Sequence, residues 1–162
     1  MQPPPPAGLQ TAIFAGGCFW CVESDFDKVK GVSSTVSGYA GGTLENPTYK
    51  NHAGHREAVK IEFDPAVVSY ETLVSHFLRT IDVTDDGGQF CDRGEEYQTA
   101  VFVGSASELK AAQAVSTEAA TLLGQEIGLR ASLDAFRDRS QPQALRETDR
   151  RPDDRCVHFA CR

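Results

Sequence analysis

Four stretches of the chain show apolar patterns that are typical of β-strands. The clearest lies in 56–64, where apolar residues at every second position are separated by charged ones. Shorter apolar segments at 11–15, 32–38 and 97–103 predict three more strands. One face of the 56–64 strand is therefore expected to meet a core and the other to meet solvent.

Apolar residues spaced three and four apart predict three helices. Acidic residues lie early and lysines late in the first helix, which suits the helix dipole. A glycine follows the first and third helices, where it can adopt a left-handed cap. The predicted helices run from Phe19 to a cap at Gly31, from Ser69 to Ile81, and from a cap at Ser107 to Gly124.

The order strand, helix, strand, strand, helix, strand, helix predicts an α+β fold with a ferredoxin-like split βαβ core, an α/β roll. A connection over 39–54, rich in glycine, asparagine and proline, is long enough to be a functional loop. One folded domain is expected over 11–128. A flexible, proline-rich lead-in over 1–10 precedes it.

Composition changes abruptly after Gly128. The last 34 residues hold 8 of the 11 arginines, no lysine and none of the 14 glycines. Because it has little periodic apolar content, 129–162 is interpreted as an atypical, irregular tail, either a solvated helix or a disordered segment. The abrupt change also motivates the hypothesis that this tail comes from a shifted reading frame.

The overall composition narrows the classes of function. A net charge of −7 argues against nucleic acid and against anionic membrane surfaces as partners. No apolar run approaches the roughly 18 residues that cross a bilayer, and 1–10 lacks the features of a secretory signal. We expect a cytoplasmic protein and a monomer, in which the five cysteines stay reduced unless they are catalytic.

Residues 15–23 read AGGCFWCVE and place Cys18 where a strand ends and a helix begins. Unpaired N–H groups and the dipole at a helix start favour the thiolate, which is the nucleophilic form of cysteine. Gly16 and Gly17 allow a tight turn that leaves the sulfur accessible. Cys18 is thus either a catalytic nucleophile or a small buried apolar residue.

Cys18 and Cys21 form a C-x-x-C pair, which suggests two further functions. A thioredoxin-like dithiol oxidoreductase is one alternative, although the usual Gly-Pro between the cysteines is missing. A zinc-binding module that also uses His52 and His55 is another, although the long gap between the pairs is far from finger spacing. Otherwise the two histidines are interpreted as residues of an exposed loop.

Glu57 shares the parity of the apolar residues in 56–64, which points its carboxyl at the core. Loss of hydration there is expected to raise the pKa of Glu57, so that it can donate a proton near neutral pH. Fraying of the strand end into solvent is the alternative. Tyr97, at the start of the last strand, and Tyr39 and Asp92, beside loops, are further candidates that can equally serve packing or loop structure.

Two aromatic residues, Phe19 and Trp20, follow the candidate nucleophile directly and can form a small apolar pocket. Phe19 also fits the apolar stripe of the helix, so core packing is its expected role. Trp20 lies off that stripe and is the better pocket candidate. A thiol, a buried acid, phenols and aromatic rings together predict thiol redox chemistry, without naming a substrate.

Five segments carry a family resemblance. They read GGCFWCVESDF, SGYAGG, NPTY, GHREAVKIEFDP and FCDRGEEYQTAVF. In order and approximate spacing they resemble the A-type peptide methionine sulfoxide reductases over about residues 11–128, which makes that segment the catalytic domain. The resemblance implies an oxidoreductase for protein repair under oxidative stress, which reduces the S-epimer of methionine sulfoxide, free or within proteins.

The resemblance also implies a role for each candidate residue. Cys18 attacks the sulfoxide sulfur and becomes a sulfenic acid, while Glu57 protonates or hydrogen-bonds the sulfoxide oxygen. Tyrosine hydroxyls hold that oxygen as well, aromatic rings cradle the methyl group, and a loop aspartate supports the site. These further residues are, in that order, Tyr39 and Tyr97, Phe19 and Trp20, and Asp92.

Regeneration of the thiol is implied to need no bound cofactor and no metal. The sulfenic acid of Cys18 forms a disulfide with a resolving cysteine, which thioredoxin, or dithiothreitol in vitro, then reduces. Cys91 and Cys21 are the resolving candidates that we favour. Cys156 and Cys161 are less favoured because they lie in the tail, where the resemblance has ended.

Overall fold

The computed structural model describes residues 8–42, 51, 54–90, 92–127 and 130–132. The strands of this part are β1 (Gln10–Ala15), β2 (Val32–Ala40), β3 (Arg56–Phe63), β4 (Gly88–Gln89), β5 (Asp92–Arg93), β6 (Ala100–Phe102) and β7 (Arg130–Ser132). The α-helices are α1 (Phe19–Phe26), α2 (Tyr70–Thr80) and α3 (Ala106–Leu123), and a 3₁₀ helix spans Glu95–Tyr97.

Five strands form one sheet in the order β2-β3-β1-β6-β7. β1 lies between β3 and β6 and is antiparallel to both, and β2 is antiparallel to β3. Each helix of the two split βαβ units therefore connects strands that are separated by one inserted strand. The predicted α+β fold with a ferredoxin-like core is confirmed.

The main core lies between one face of the sheet and the helices. Its centre is Phe14, whose ring stacks on Phe77 of α2 at 4.9 Å and meets Phe26 of α1 at 5.5 Å. The alternation predicted for 56–64 places Ile61 and Phe63 in the same core, both fully buried. Each such aromatic ring contributes roughly 1.5–3 kcal/mol by leaving water, so this layer holds β1 and β3 firmly under the helices.

Two helix boundaries differ from the prediction. α1 ends at Phe26, well before Gly31, and Gly31 adopts φ +99° in the turn that leads into β2. α3 is capped by Ser105, not by Ser107: its hydroxyl accepts from the N–H of Glu108, whose carboxylate accepts from the N–H of Gly104. The S-x-x-E spacing, which is typical of a capping box, is a sequence signal that favours Ser105. Here the Glu108 carboxylate bonds the residue before the cap.

Two tyrosines also lie in elements other than those predicted. β2 continues to Ala40, so Tyr39 lies within a strand because its pairing with β3 extends that far. The last strand starts at Ala100, and Tyr97 belongs to the 3₁₀ helix before it. Strand ends are set by pairing with a neighbour, which a local apolar pattern does not report.

The domain boundaries remain predictions. β7 lies just beyond the predicted boundary at residue 128 and pairs in parallel with β6. Residues 1–7, most of the predicted 39–54 loop, and 133–162 lie outside the described residues. Among the described residues, no helix is both long and apolar enough to cross a membrane.

Candidate active site

Cys18 lies in the turn that joins β1 to α1, at the N-cap position of the helix. The turn depends on glycine at two positions. Gly17 adopts φ +83°, which side chains rarely allow, and a Cβ at Gly16 would lie 2.7 Å from the ring of Phe77. This close packing fixes the position of the Cys18 sulfur, which is half-buried, at the start of the helix.

Burial raises the pKa of the Cys18 thiol above its usual value. Hydrogen bonds from the backbone of Cys21 and Trp20 act in the opposite direction, while the charges of Glu57 and Asp92 raise the pKa further. The helix start therefore favours the thiolate as expected, but desolvation outweighs it. The net direction is a raised pKa, so the surroundings of Cys18 oppose the thiolate that the helix start favours.

Glu57 lies on β3 with 2% of its surface exposed. Its Oε2 accepts a hydrogen bond of 3.1 Å from the backbone N–H of Phe19, the first residue of α1. The predicted core-facing direction of this carboxyl is confirmed, and a frayed strand end is excluded. An acid group is therefore fixed beside the residue that follows the candidate nucleophile.

Three aromatic rings line the same end of α1. Tyr39 pairs with Glu57 across β2 and β3, and its ring lies 5.6 Å from that of Phe19. Phe19 is fully buried, while Trp20 meets it edge-on at 4.9 Å and is half-exposed. The structure thus places Phe19 in the core, as expected, and leaves Trp20 as the accessible ring.

Asp92 and Tyr97 belong to the segment between α2 and β6. Asp92 lies on β5, close enough for its charge to act on Cys18. Tyr97 ends the 3₁₀ helix, which packs against β3. A hydrogen bond of 3.2 Å from Arg56 to the side chain of Gln98 fastens this region to the Glu57 end of β3. The structure thus places Glu57 and Asp92 close enough for their charges to act on Cys18, and it connects the 3₁₀ helix of Tyr97 to the Glu57 end of β3.

Two buried polar residues near the site were not singled out by the sequence patterns. Glu23, one turn after Phe19 on α1, accepts a hydrogen bond from the hydroxyl of Ser37 on β2, and both residues are buried. The spacing of Glu23 on the apolar stripe of the helix is the signal that indicates its burial. Gln89 is also fully buried, and nothing in its sequence surroundings predicts this.

One of the two histidines that were predicted in an exposed loop is buried in the structure. His55 is buried, and its Nδ1 accepts from the N–H of Gly42, so the prediction of an exposed loop residue is wrong there. This hydrogen bond joins the residues just after the end of β2 to the residue just before β3. His52 lies outside the described residues. Within the described part, no three metal-binding side chains are grouped as a metal site.

The cysteines of the C-x-x-C pair are in different states. Cys18 is a free thiol, whereas Cys21 is buried and disulfide-bonded. The two are therefore not bonded to each other, which disfavours the dithiol and zinc alternatives. Cys91, the other favoured resolving candidate, lies outside the described residues.

The family model and the curated relative that match this chain are both described as peptide methionine sulfoxide reductases. The family model described as peptide methionine sulfoxide reductase matches residues 10–129. The peptide methionine sulfoxide reductase MsrA 2 of Rhizobium meliloti is 55% identical over 120 residues, which are 73% of this chain and 61% of that protein. The chain thus spans about three-fifths of the length of this curated relative.

Solved structures share the fold. Methionine sulfoxide reductase A of Corynebacterium diphtheriae superposes with a TM-score of 0.74 at 24% identity, covering 85% of this chain and 71% of that one. Mxr1 of Saccharomyces cerevisiae in complex with Trx2 superposes with a TM-score of 0.55 at 20% identity, covering 77% and 76%. At these identities the likeness concerns the arrangement of helices and strands.

Proposed function

The chain belongs to the peptide methionine sulfoxide reductase family, and we propose that it reduces methionine sulfoxide, free or in proteins, with Cys18 as the nucleophile. The observation that carries the proposal is the position of Glu57. Its buried carboxyl accepts from the N–H of Phe19, so an acid group is held one residue away from the thiol. Sulfoxide reduction needs both groups, because sulfur must be attacked while oxygen is protonated.

The proposed step needs no external oxidant, because Cys18 itself supplies the electrons that the sulfoxide gains. Sγ of Cys18 bonds to the sulfoxide sulfur as the sulfoxide oxygen gains a proton. That oxygen then passes to Cys18, which breaks the sulfur–sulfur and original sulfur–oxygen bonds and releases methionine. The sulfoxide sulfur gains two electrons, and Cys18 loses two to become a sulfenic acid.

One proton serves the whole exchange. Since burial raises the pKa of the Cys18 thiol, we propose that the attacking thiolate forms as its proton moves to a neighbouring group. Glu57 is the buried acid group beside it, so we assign Glu57 as the acceptor of this proton. In its protonated form the same carboxyl then protonates the sulfoxide oxygen.

The remaining residues are assigned to binding. The hydroxyls of Tyr39 and Tyr97 hold the sulfoxide oxygen, and Asp92 supports the site from β5. The rings of Phe19 and Trp20 provide the apolar wall for the methyl group, with Trp20 as the accessible member. A pocket with distinct places for oxygen and methyl can select one sulfoxide configuration, and we propose the S-epimer.

Regeneration is proposed to proceed through a disulfide. A thiol of Cys91 or Cys21 attacks the sulfenic acid of Cys18, which forms a disulfide and releases water. Since Cys21 already takes part in a disulfide, it can act in this way only after reduction. A thioredoxin is the proposed reductant, in line with the yeast protein of this fold that is solved in complex with Trx2.

A steady-state assay on the full chain tests the proposal. Purified protein with dithiothreitol should release methionine from the S-epimer of methionine sulfoxide and leave the R-epimer unchanged. Cys18→Ser should abolish the activity while the protein still folds. Equal activity of Cys18→Ser and the parent chain, or reduction of insulin disulfides in place of the sulfoxide, would contradict the proposed function.

A further inference from the structure

Gln89 is a fully buried polar side chain that the reaction proposed above does not use. Its Oε1 accepts from the N–H of Asp82 at 2.7 Å. Its Nε2 donates to the carbonyls of Asp82 and Gly88, each at 2.8 Å. With 1% of its surface exposed, this amide closes the loop from the end of α2 to β4 without leaving a buried polar group unmatched.

The aliphatic part of Gln89 touches the turn that presents the nucleophile. A Cβ placed on Gly17 would lie 2.6 Å from Cβ and 3.0 Å from Cγ of Gln89. Gly17 directly precedes Cys18 in the chain. The side chain of Gln89 therefore packs directly against the backbone of Gly17. A shift of Gln89 would either move the turn or leave a gap beneath it.

The other side of Gln89 leads to the acidic residue of the site. Gln89 pairs with Asp92 in the two-stranded ladder of β4 and β5. The 3₁₀ helix that carries Tyr97 begins two residues after the end of this ladder. One side chain thus lies between the turn of Cys18 and the segment that supplies two of the assigned site residues.

We propose that Gln89 is a positioning residue that sets the distance between the Cys18 turn and the segment carrying Asp92 and Tyr97. Its three side-chain hydrogen bonds anchor β4, which pairs with Asp92 on β5, to the loop after α2. Its packing on Gly17 fixes the turn. The inference rests on the proposed function, because it assigns a second support to the same site. It concerns the surroundings of Cys18, which the reactivity of the thiol measures in the absence of sulfoxide.

The test compares Gln89→Ala and Gln89→Met with the parent chain. Gln89→Met keeps the packing on Gly17 and removes the hydrogen bonds, so it decides the question if Gln89→Ala fails to fold. Gln113→Ala, on the exposed face of α3, is the matched control. Two readouts are needed: kcat for sulfoxide reduction, and the pH dependence of iodoacetamide alkylation located at Cys18 by mass spectrometry.

Release of the segment should hydrate Cys18 and move Asp92 away, and both changes lower the thiol pKa. The alkylation midpoint should therefore shift to lower pH in the Gln89 variants, with kcat reduced about ten- to a hundredfold. A purely structural role would lower the unfolding temperature and leave the midpoint in place. Folded variants that keep the parent midpoint would overturn the proposal, whatever their kcat.

The two readouts separate this inference from the proposed function. If the parent chain did not reduce sulfoxide at all, the proposed function would fail. The alkylation midpoint would still decide whether Gln89 positions the thiol. If the parent were active and only the midpoint stayed unchanged in folded variants, the positioning role alone would be lost.

Discussion

The backbone N–H of Phe19 donates a hydrogen bond of 3.1 Å to the carboxylate of Glu57. This contact joins strand β3 to the first residue of α1, immediately after Cys18. It engages Oε2 of that carboxylate. The position of the acid relative to the thiol is therefore set by the backbone of the fold rather than by a flexible side chain.

Glu57→Gln should separate proton transfer from structure. Glutamine can still accept from the N–H of Phe19, so the fold should be kept. Loss of the negative charge should lower the pKa of Cys18, because the Glu57 charge raises it in the parent. Loss of the acid should reduce kcat about 10²- to 10⁴-fold. Alkylation of Cys18 against pH and a steady-state assay measure the two effects.

The two effects of this substitution have opposite signs, which makes them informative. A more reactive thiol in a less active enzyme identifies Glu57 as the proton carrier. Glu62→Gln is the matched control, because it removes the same charge from the same strand at a position that bonds Ser34. Parent-like kcat in Glu57→Gln would show that another group protonates the oxygen.

Gly17→Ala should destabilise the protein more than Gly124→Ala. Both glycines have positive φ, +83° and +68°, which costs about 1–2 kcal/mol for alanine. Nothing lies within 4 Å of a Cβ at Gly124, whereas the one at Gly17 clashes with Gln89. The clash adds about 1–3 kcal/mol. Urea unfolding of both variants measures the difference, and equal losses would show that the turn relaxes freely.

Ser37→Ala tests the polar contact beneath the site. The Ser37 hydroxyl donates to Glu23 in the interior, and its removal takes a donor from a buried carboxylate. We expect a loss of about 1–3 kcal/mol in the free energy of unfolding. Ser33→Ala, which removes an exposed hydroxyl on the same strand, should cost less. A similar cost for both variants would show that burial of this contact has no energetic importance.

The order of strands and helices is predictable from the sequence because it depends on local apolar periodicity. The same periodicity is sufficient to place Glu57 on the core face of β3. The family resemblance of the sequence alone groups Cys18, Tyr39 and Asp92 in one site. Their elements do meet in the structure, although their roles remain proposals.

Other features depend on contacts between distant segments and could not be predicted. Tyr39 lies inside β2 because pairing with β3 extends the strand, and Tyr97 lies in a 3₁₀ helix. The direction of the Cys18 pKa depends on how much desolvation the tertiary packing imposes. Burial of Gln89 follows from its bonds to Asp82 and its contact with Gly17, neither of which has a sequence signature.

A single-turnover experiment without reductant tests the central claim most directly. The full chain is reduced, separated from the reductant, and mixed with excess S-epimer of methionine sulfoxide. The released methionine is quantified, and peptide mapping determines the chemical state of Cys18. We predict one methionine per chain, with Cys18 recovered as a sulfenic acid or as a disulfide, and no methionine from Cys18→Ser. Release of methionine with Cys18 still a free thiol would contradict the account.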